Sequence, residues 1–97
     1  MSLETTTQGM TERAANAKPL GKTLKFNTAE GCIYLDGSGE ANQVSNEDKE
    51  ADCTVNMKLE DLDNLLSGDL NPMTAFMTGK LKVEGDISVA MKLQSLV

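Results

Sequence analysis

The sequence predicts an α+β domain in which helices cover the one apolar face of a sheet of four or five strands. Residues 20–57 alternate between apolar and polar side chains with a period of two, which is typical of strands. Residues 58–97 mostly repeat their apolar side chains at helical spacing. Since the strands and the helices are each apolar on one side, the two layers are expected to bury these sides against each other.

Residues 1–18 are polar and weakly patterned, and they predict a poorly ordered tail followed by a short helix. We expect disorder over Met1–Thr7 and a helix that Thr11 could cap. Pro19 ends this helix, because the residue before a proline is disfavoured in the helical conformation. Residues 19–97 are predicted to form a single domain, as the length of the chain suggests.

Three of the predicted strands lie in residues 20–57, in the alternating segments "KTLKFNT", "GCIYLDG" and "DCTVNMK". Asp36-Gly37 marks a tight turn, since glycine tolerates a positive φ angle. The polar segment "NQVSNEDKE" predicts a weak edge strand or a loop, and "KLKVEGD" predicts a last strand. The outward positions include Lys25, Asn56, Lys80 and Lys82. The side chains expected on the helix-covered face are Leu24, Phe26, Ile33, Leu35, Cys53, Val55, Met57, Leu81 and Val83.

Residues 58–97 predict three helices around that last strand. The first, "LEDLDNLLSG", has leucines along one side, and Gly68 ends it as a left-handed cap. The second, "NPMTAFMTG", has Asn71 as its cap and Pro72 in its first turn, and it ends at Gly79. The segment "ISVAMKLQSLV" predicts a closing helix that is apolar around most of its circumference.

The charge distribution makes several functions improbable. The chain has a formal net charge of −6, and residues 30–69 contain eleven acidic and two basic groups. Such a chain is a poor candidate for nucleic-acid binding or for strong docking on anionic lipid. No apolar run approaches the roughly 18 residues of a membrane-spanning helix, and no secretory signal is recognisable. The chain stops at Val97 without a peroxisomal Ser-Lys-Leu address, so we expect a cytoplasmic protein.

Catalysis and metal binding are not expected. The chain contains no histidine, which removes the commonest general base and the imidazole metal ligand. Cys32 and Cys53 are expected to be reduced, small and buried, and they do not make a zinc site. Asp48, Glu50 and Asp52 resemble the start of a calcium loop, but the glycine and glutamate that such a loop needs are missing. The sequence therefore predicts no enzyme, no cofactor and no bound metal.

Residues 51–93 contain an ordered series of short motifs. "ADCT" precedes the leucine helix; Asn71-Pro72, Ala75-Phe76, "GKLK" (79–82), "GD" (85–86) and "AMKL" (90–93) follow it. This order resembles the sterol carrier protein type 2 family, whose domain binds sterols. A looser match begins near Gly21, so the resemblance covers about four fifths of the chain. It implies a five-stranded, mixed, mostly antiparallel sheet with helices on one face and an apolar tunnel for lipid.

The same resemblance implies non-catalytic binding or transfer of a fatty acid, fatty acyl-CoA, sterol or phospholipid. Longer members of the family have a larger N-terminal helix and a peroxisomal C-terminal extension, so this chain is similar to a short single-domain member of bacterial type. Its cavity could therefore be incompletely closed. The residues expected to line the cavity are Phe26, Leu35, Val55, Met57, Leu62, Leu66, Met73, Phe76, Met77, Leu81, Val83 and Met91.

Two interpretations of the apolar side chains remain open at this stage. Met73, Phe76 and Met77 share one helical face, and such a stripe usually packs in a core. It could instead line a cavity for a flexible ligand, because methionine adapts its shape readily. The alternative to lipid binding is an interaction module whose apolar face pairs with another protein or forms a homodimer. We expect no stable insertion into a membrane.

Overall fold

The computed structural model describes residues 2–92 and contains nine helices and strands in that range. The strands form one sheet in the order β3-β2-β1-β4-β5. In chain order the elements are α1 (Leu3–Ala15), β1 (Thr23–Thr28), β2 (Gly31–Asp36), β3 (Gln43–Ser45), β4 (Cys53–Asn56), α2 (Leu59–Ser67), α3 (Pro72–Met77), β5 (Lys82–Gly85) and α4 (Ile87–Met91).

The sheet is mixed, with one parallel pair at its centre. β1 and β4 run parallel, and Phe26 lies beside Val55. The pairs β1–β2, β2–β3 and β4–β5 are antiparallel, and Phe26 also pairs with Ile33 in β2. The predicted five-stranded, mostly antiparallel sheet is therefore confirmed, and the weak segment after residue 42 is an edge strand.

Burial follows the predicted alternation along the strands. Phe26, Ile33 and Val55 are completely buried on the face that the helices cover, while Lys82 is exposed. Lys25 and Asn56, which were predicted to face water, are half-buried. Lys25 is half-buried because it contacts the chain after β3, where its ammonium group lies 2.9 Å from the Asp48 carboxylate.

Tyr34 shows that the second face of the sheet is also partly covered. Its side chain is only 8% exposed, although it points away from the helices. The Tyr34 hydroxyl donates to the carbonyl of Glu50 at 3.4 Å, and the Lys49 ammonium lies 5.8 Å from the ring centre. The acidic chain between β3 and β4 therefore packs against this face.

The structure corrects the predicted start of the first helix. α1 begins at Leu3, where the Ser2 and Thr5 side chains exchange hydrogen bonds with each other's backbone N–H in a capping box. Thr11, the predicted cap, lies inside the helix and donates to the carbonyl of Thr7 at 2.8 Å. The helix buries one side, on which Thr6 is 1% exposed and donates to Asp63 of α2 at 2.8 Å.

Gly37 serves a different purpose from the predicted one. Its φ angle is not positive, so the turn does not depend on conformational freedom there. A Cβ atom at Gly37 would lie 2.6 Å from the backbone nitrogen of Leu20 and 2.7 Å from Oδ1 of Asn42. Glycine is needed because the chain preceding β1 approaches the β2–β3 connection closely.

The helix ends in the second half match their sequence signals. Gly68 adopts a φ of 89° and ends α2, and the Asn71 side chain accepts from the backbone N–H of Met73 at 2.8 Å at the start of α3. The closing helix α4 is described as far as Met91, with Lys92 as its cap. The remainder of the predicted helix, residues 93–97, lies outside the described residues.

Candidate functional site

The large apolar side chains that are exposed within residues 2–92 all lie on α3 and α4. Core residues such as Leu24 and Val89 are completely buried, so this concentration is a local property of two short helices. The exposed fractions range from 38% for Met73 to 79% for Met77. The five residues are Met73, Phe76, Met77, Ile87 and Met91.

A groove of about 260 Å³ lies between α3 and α4. Its walls are formed entirely by apolar residues, and it is partly enclosed. Proline and two large side chains come from α3, one leucine from the segment before β5, and the rest from α4. The lining residues are Pro72, Met73, Phe76, Leu81, Ile87, Ala90 and Met91.

The sequence of α3 determines which of its sides faces the groove. The Asn71 cap and Pro72 fix where the helix starts. Ala75 is completely buried, and its carbonyl accepts from the backbone N–H of Leu81 at 3.1 Å, which holds that side of α3 against the domain. Met73 and Phe76, three residues apart, consequently project from the other side and form one wall.

α4 forms the opposite wall by the same arrangement. The Asp86 side chain accepts from the backbone N–H of Ser88 at 3.0 Å and so starts the helix. Val89 is completely buried, which turns that side of α4 toward the sheet. Ile87 and Met91, one helical turn apart, are about half exposed and line the groove.

Two titratable groups lie beside the α4 wall. The hydrogen bond from Lys22, together with those from Ser88, lowers the pKa of the Asp86 carboxyl to about 2. Burial raises the pKa of the Cys53 thiol, and the Asp86 charge raises it further, against a hydrogen bond with the Ala90 backbone. Cys53 is therefore an unreactive thiol beneath α4.

The structure divides the predicted lining residues into three groups. Met73, Phe76, Leu81 and Met91 line the groove. Met77 lies outside it as the most exposed of the large apolar side chains. The others lie in the core or pack against it, with Val83 only half-buried: Phe26, Leu35, Val55, Met57, Leu62, Leu66 and Val83.

Sequence reasoning missed three lining residues, Pro72, Ile87 and Ala90. Ile87 could have been found, because it lies four residues before Met91 and shares its helical face. Pro72 could also have been found, since it precedes Met73 at the start of the helix. Ala90 could not have been found from the sequence, because a residue this small lines a groove only where the backbone of its helix lies next to the groove.

The other depressions of the described surface are more polar. One lies between α1 and α2 and includes Arg13 and Asp63. Another includes Lys58, Lys80 and Lys82 together with two carboxylates of α2. Within residues 2–92 there is no group of three or more side chains suited to hold a metal ion. No helix in the same range has both the length and the hydrophobicity needed to cross a bilayer.

The fold and the groove define a small α+β domain with an apolar groove between two short helices. The profile of the SCP-2 sterol transfer family matches residues 3–97. The chain therefore belongs to this family, which is known for lipid binding and transfer.

Relatives with curated descriptions are longer proteins. Sterol carrier protein 2 from Bos taurus is 49% identical over 59 residues, which cover 61% of this chain and 11% of the bovine protein. Hydroxysteroid dehydrogenase-like protein 2 from Danio rerio is 37% identical over 78 residues, which cover 75% of this chain and 19% of that protein. The chain thus corresponds to a small part of each of these relatives.

A solved structure confirms the fold of the described residues. Sterol carrier protein 2 like 2 from Aedes aegypti superposes with a TM-score of 0.76 at 24% identity, covering 100% of this chain and 97% of the other. The solution structure of the palmitated form of SCP2L2 from the same organism superposes with a TM-score of 0.73, also at 24% identity, covering 99% and 95% of the two chains.

Proposed function

We propose that this domain binds one acyl chain or a similarly slender lipid in the groove between α3 and α4 and carries it without covalent chemistry. The candidate ligand classes are fatty acid, fatty acyl-CoA, sterol and phospholipid. The observation that carries the proposal is the apolar groove itself, in a family known for lipid binding. The palmitated Aedes aegypti protein supports the fold comparison, while the ligand class follows from the groove.

The size of the groove limits the affinity. If one methylene group occupies about 30 Å³, which is the volume of one water molecule in the liquid, the 260 Å³ of the groove hold roughly nine methylene groups. Nine methylenes at ~0.8 kcal/mol each contribute about 7 kcal/mol of gross burial. Association and ordering subtract at least about 4 kcal/mol. The remaining free energy of at most about 3 kcal/mol corresponds to millimolar or weaker binding unless the groove enlarges. The apolar walls also discriminate poorly between head groups.

The test is a titration with a fluorescent fatty acid, using Phe76→Ser and the control Met77→Ser. Phe76 lines the groove and is 47% exposed, so its loss removes contact with the ligand at little expense of stability. Met77, the next residue of α3, does not line the groove. We expect saturable binding that weakens at least tenfold in Phe76→Ser and is unchanged in Met77→Ser. Absence of saturable binding by the wild type would overturn the proposal.

A second candidate function is self-association or binding of another protein through the same face. The observation that favours it is Met77, which is 79% exposed beside the groove and has no role in lining it. Analytical ultracentrifugation over a range of concentrations tests this function. A dimer that Met77→Ser converts to a monomer would support it, and a monomer at all concentrations would exclude the homodimer.

The proposed function includes no catalytic step and no cofactor. The family supports a carrier role in general, although relatives such as hydroxysteroid dehydrogenase-like protein 2 carry the name of an enzyme. Incubating the pure protein with an acyl-CoA and measuring free CoA is the test, and turnover would refute a purely carrying role. A cytoplasmic location remains a prediction from the sequence.

A further inference from the structure

The groove is too small, as it stands, for the ligands proposed above. Pockets for small molecules usually enclose about 300–1,000 Å³, and this groove has about 260 Å³. The core next to it offers no extra room, since Val55 and Val89 are completely buried in contact with other side chains. If the domain takes up a longer lipid, one wall of the groove has to move.

Of the two helices that form the walls, α4 is the one that we expect to move. It comprises only five described residues, Ile87–Met91, and buries only Val89 and Ala90. Gly85, directly before its cap, has a φ of +96°, a conformation in which other residues are strained. The backbone N–H of Asp86 donates to the carbonyl of Asp52 at 2.9 Å, so this end of the short helix is anchored and α4 can pivot about it.

Polar contacts tie both ends of α4 to one segment of the chain. At the start of the helix, Nζ of Lys22 lies 2.7 Å from Oδ2 of Asp86. At its end, Nζ of Lys92 donates to the carbonyl of Leu20 at 2.8 Å. The segment that receives both contacts is itself fixed, because Gly21 donates to the carbonyl of Gly37 at 2.7 Å.

We propose that the Lys22–Asp86 ion pair is a clasp that keeps α4 closed over the groove, and that its opening admits and releases the lipid chain. The inference rests on the proposed function for its ligand. Lys22 is then a positioning residue that never touches the lipid. Both carboxylate oxygens of Asp86 are in use, one with Lys22 and the other with Ser88, so opening the clasp also loosens the first turn of α4.

Breaking the clasp should change rates more than stability. The Lys22 and Asp86 side chains are 47% and 33% exposed, and exposed ion pairs contribute little to the free energy of unfolding. We expect Lys22→Ala to speed both lipid association and dissociation about threefold with little change in Kd, because the closed complex re-forms after binding. Lys22→Glu should have a larger effect, about tenfold, since it places a third carboxylate near Asp86 and Asp52.

Stopped-flow exchange of a fluorescent fatty acid measures these rates. Lys22→Arg should restore the wild-type rates, because it keeps the charge. The matched control is Lys49→Ala, which breaks the exposed Lys49–Glu47 pair, 2.7 Å long, away from α4. In 1 M salt the difference between wild type and Lys22→Ala should shrink, since exposed charges are screened.

Alkylation of Cys53 by iodoacetamide reports opening without any lipid. Cys53 is completely buried beneath α4, and Cys32→Ser in every protein leaves it as the single thiol. Lys22→Ala should speed its alkylation about threefold relative to the Lys49→Ala control. Removing Lys22 leaves the Asp86 charge unbalanced, which raises the pKa of Cys53 further and would slow the reaction, so acceleration reports exposure.

The outcomes separate the clasp from the proposed function. Faster alkylation in Lys22→Ala together with faster exchange supports both. Faster alkylation without saturable lipid binding by the wild type supports the clasp and removes the proposed ligand. Saturable binding with exchange and alkylation rates that Lys22→Ala leaves unchanged overturns the clasp and leaves the proposed function standing.

Discussion

Replacing Met91 by tryptophan should fill the groove and leave the core undisturbed. Met91 lines the groove and is 51% exposed, so the larger indole can extend into open space. Substitutions at exposed positions usually change the free energy of unfolding by less than about 0.5 kcal/mol. For a domain of this size that corresponds to a shift of less than about 4 °C in Tm.

The expected loss of lipid affinity is much larger than this loss of stability. Tryptophan has about six more side-chain heavy atoms than methionine, enough to displace roughly four of the methylenes that fit the groove, and each is worth ~0.8 kcal/mol. The lost burial of about 3 kcal/mol weakens binding about a hundredfold. Fluorescent fatty-acid titration beside thermal melting measures both quantities for each protein.

Two matched substitutions make the result interpretable. Met77→Trp makes the same exchange outside the groove and should change neither Tm nor affinity. Met10→Trp makes it in the core, where Met10 is 1% exposed, and overpacking should destabilise the domain by about 1–3 kcal/mol. If Met91→Trp lowers Tm as Met10→Trp does and leaves lipid affinity intact, then Met91 is an ordinary packing residue and the assignment of the groove is refuted.

Three further predictions concern the fold. Gly37→Ala should destabilise the domain by about 1–3 kcal/mol, because its Cβ would meet the Leu20 backbone at 2.6 Å. Gly39→Ala would meet nothing within 4 Å and should be neutral or slightly stabilising. Urea unfolding compares the two variants, and equal stabilities would contradict the close approach at Gly37. Thr6→Val should cost about 1 kcal/mol in the same assay, through the lost hydrogen bond to α2, and an unchanged midpoint would contradict that role. The pKa of Asp86 is lowered from 3.8 to about 2 in the folded state, so its contribution to stability is present above pH 3.8 and is lost as the pH falls toward 2. The difference in Tm between wild type and Asp86→Asn should therefore vanish over that pH range. A difference that persists at pH 2 would argue against the ion pair.

Alternation and capping signals made most of the fold predictable. A strand with one apolar face has only one register that buries Phe26 and Val55, so the pattern determines which side faces the helices. The parallel pairing of β1 with β4 was not contained in any local pattern, since it depends on how a long connection crosses the sheet. The family resemblance implied only that the sheet is mixed. α1 was placed too late because its threonine-rich first turns have weak helix propensity and depend on the Ser2 capping box.

The site was less predictable than the fold. An apolar stripe such as Met73, Phe76 and Met77 identifies the side of a helix that is apolar, but packing decides whether that side is covered. Here Ala75, the smallest apolar residue of α3, faces the core, and the large side chains face the groove or the surface. Phe26 and Val55 were predicted to line the cavity, but they lie in the core. The alternation of a strand shows which side chains face its apolar side, and it cannot distinguish a core position from a position in a cavity wall.

The methionine methyl groups of the protein offer the most direct test of the central claim, that a lipid chain lies between α3 and α4. The chain has six methionines, of which Met73 and Met91 line the groove, Met10 lies in the core and Met77 lies outside the groove. Titration of ¹³C-methyl-labelled protein with palmitate should shift the Met73 and Met91 signals saturably and leave Met10 and Met77 nearly unchanged. Saturable shifts at Met10 without shifts at Met73 and Met91, or no saturable shift at any methionine, would contradict the groove as the lipid site.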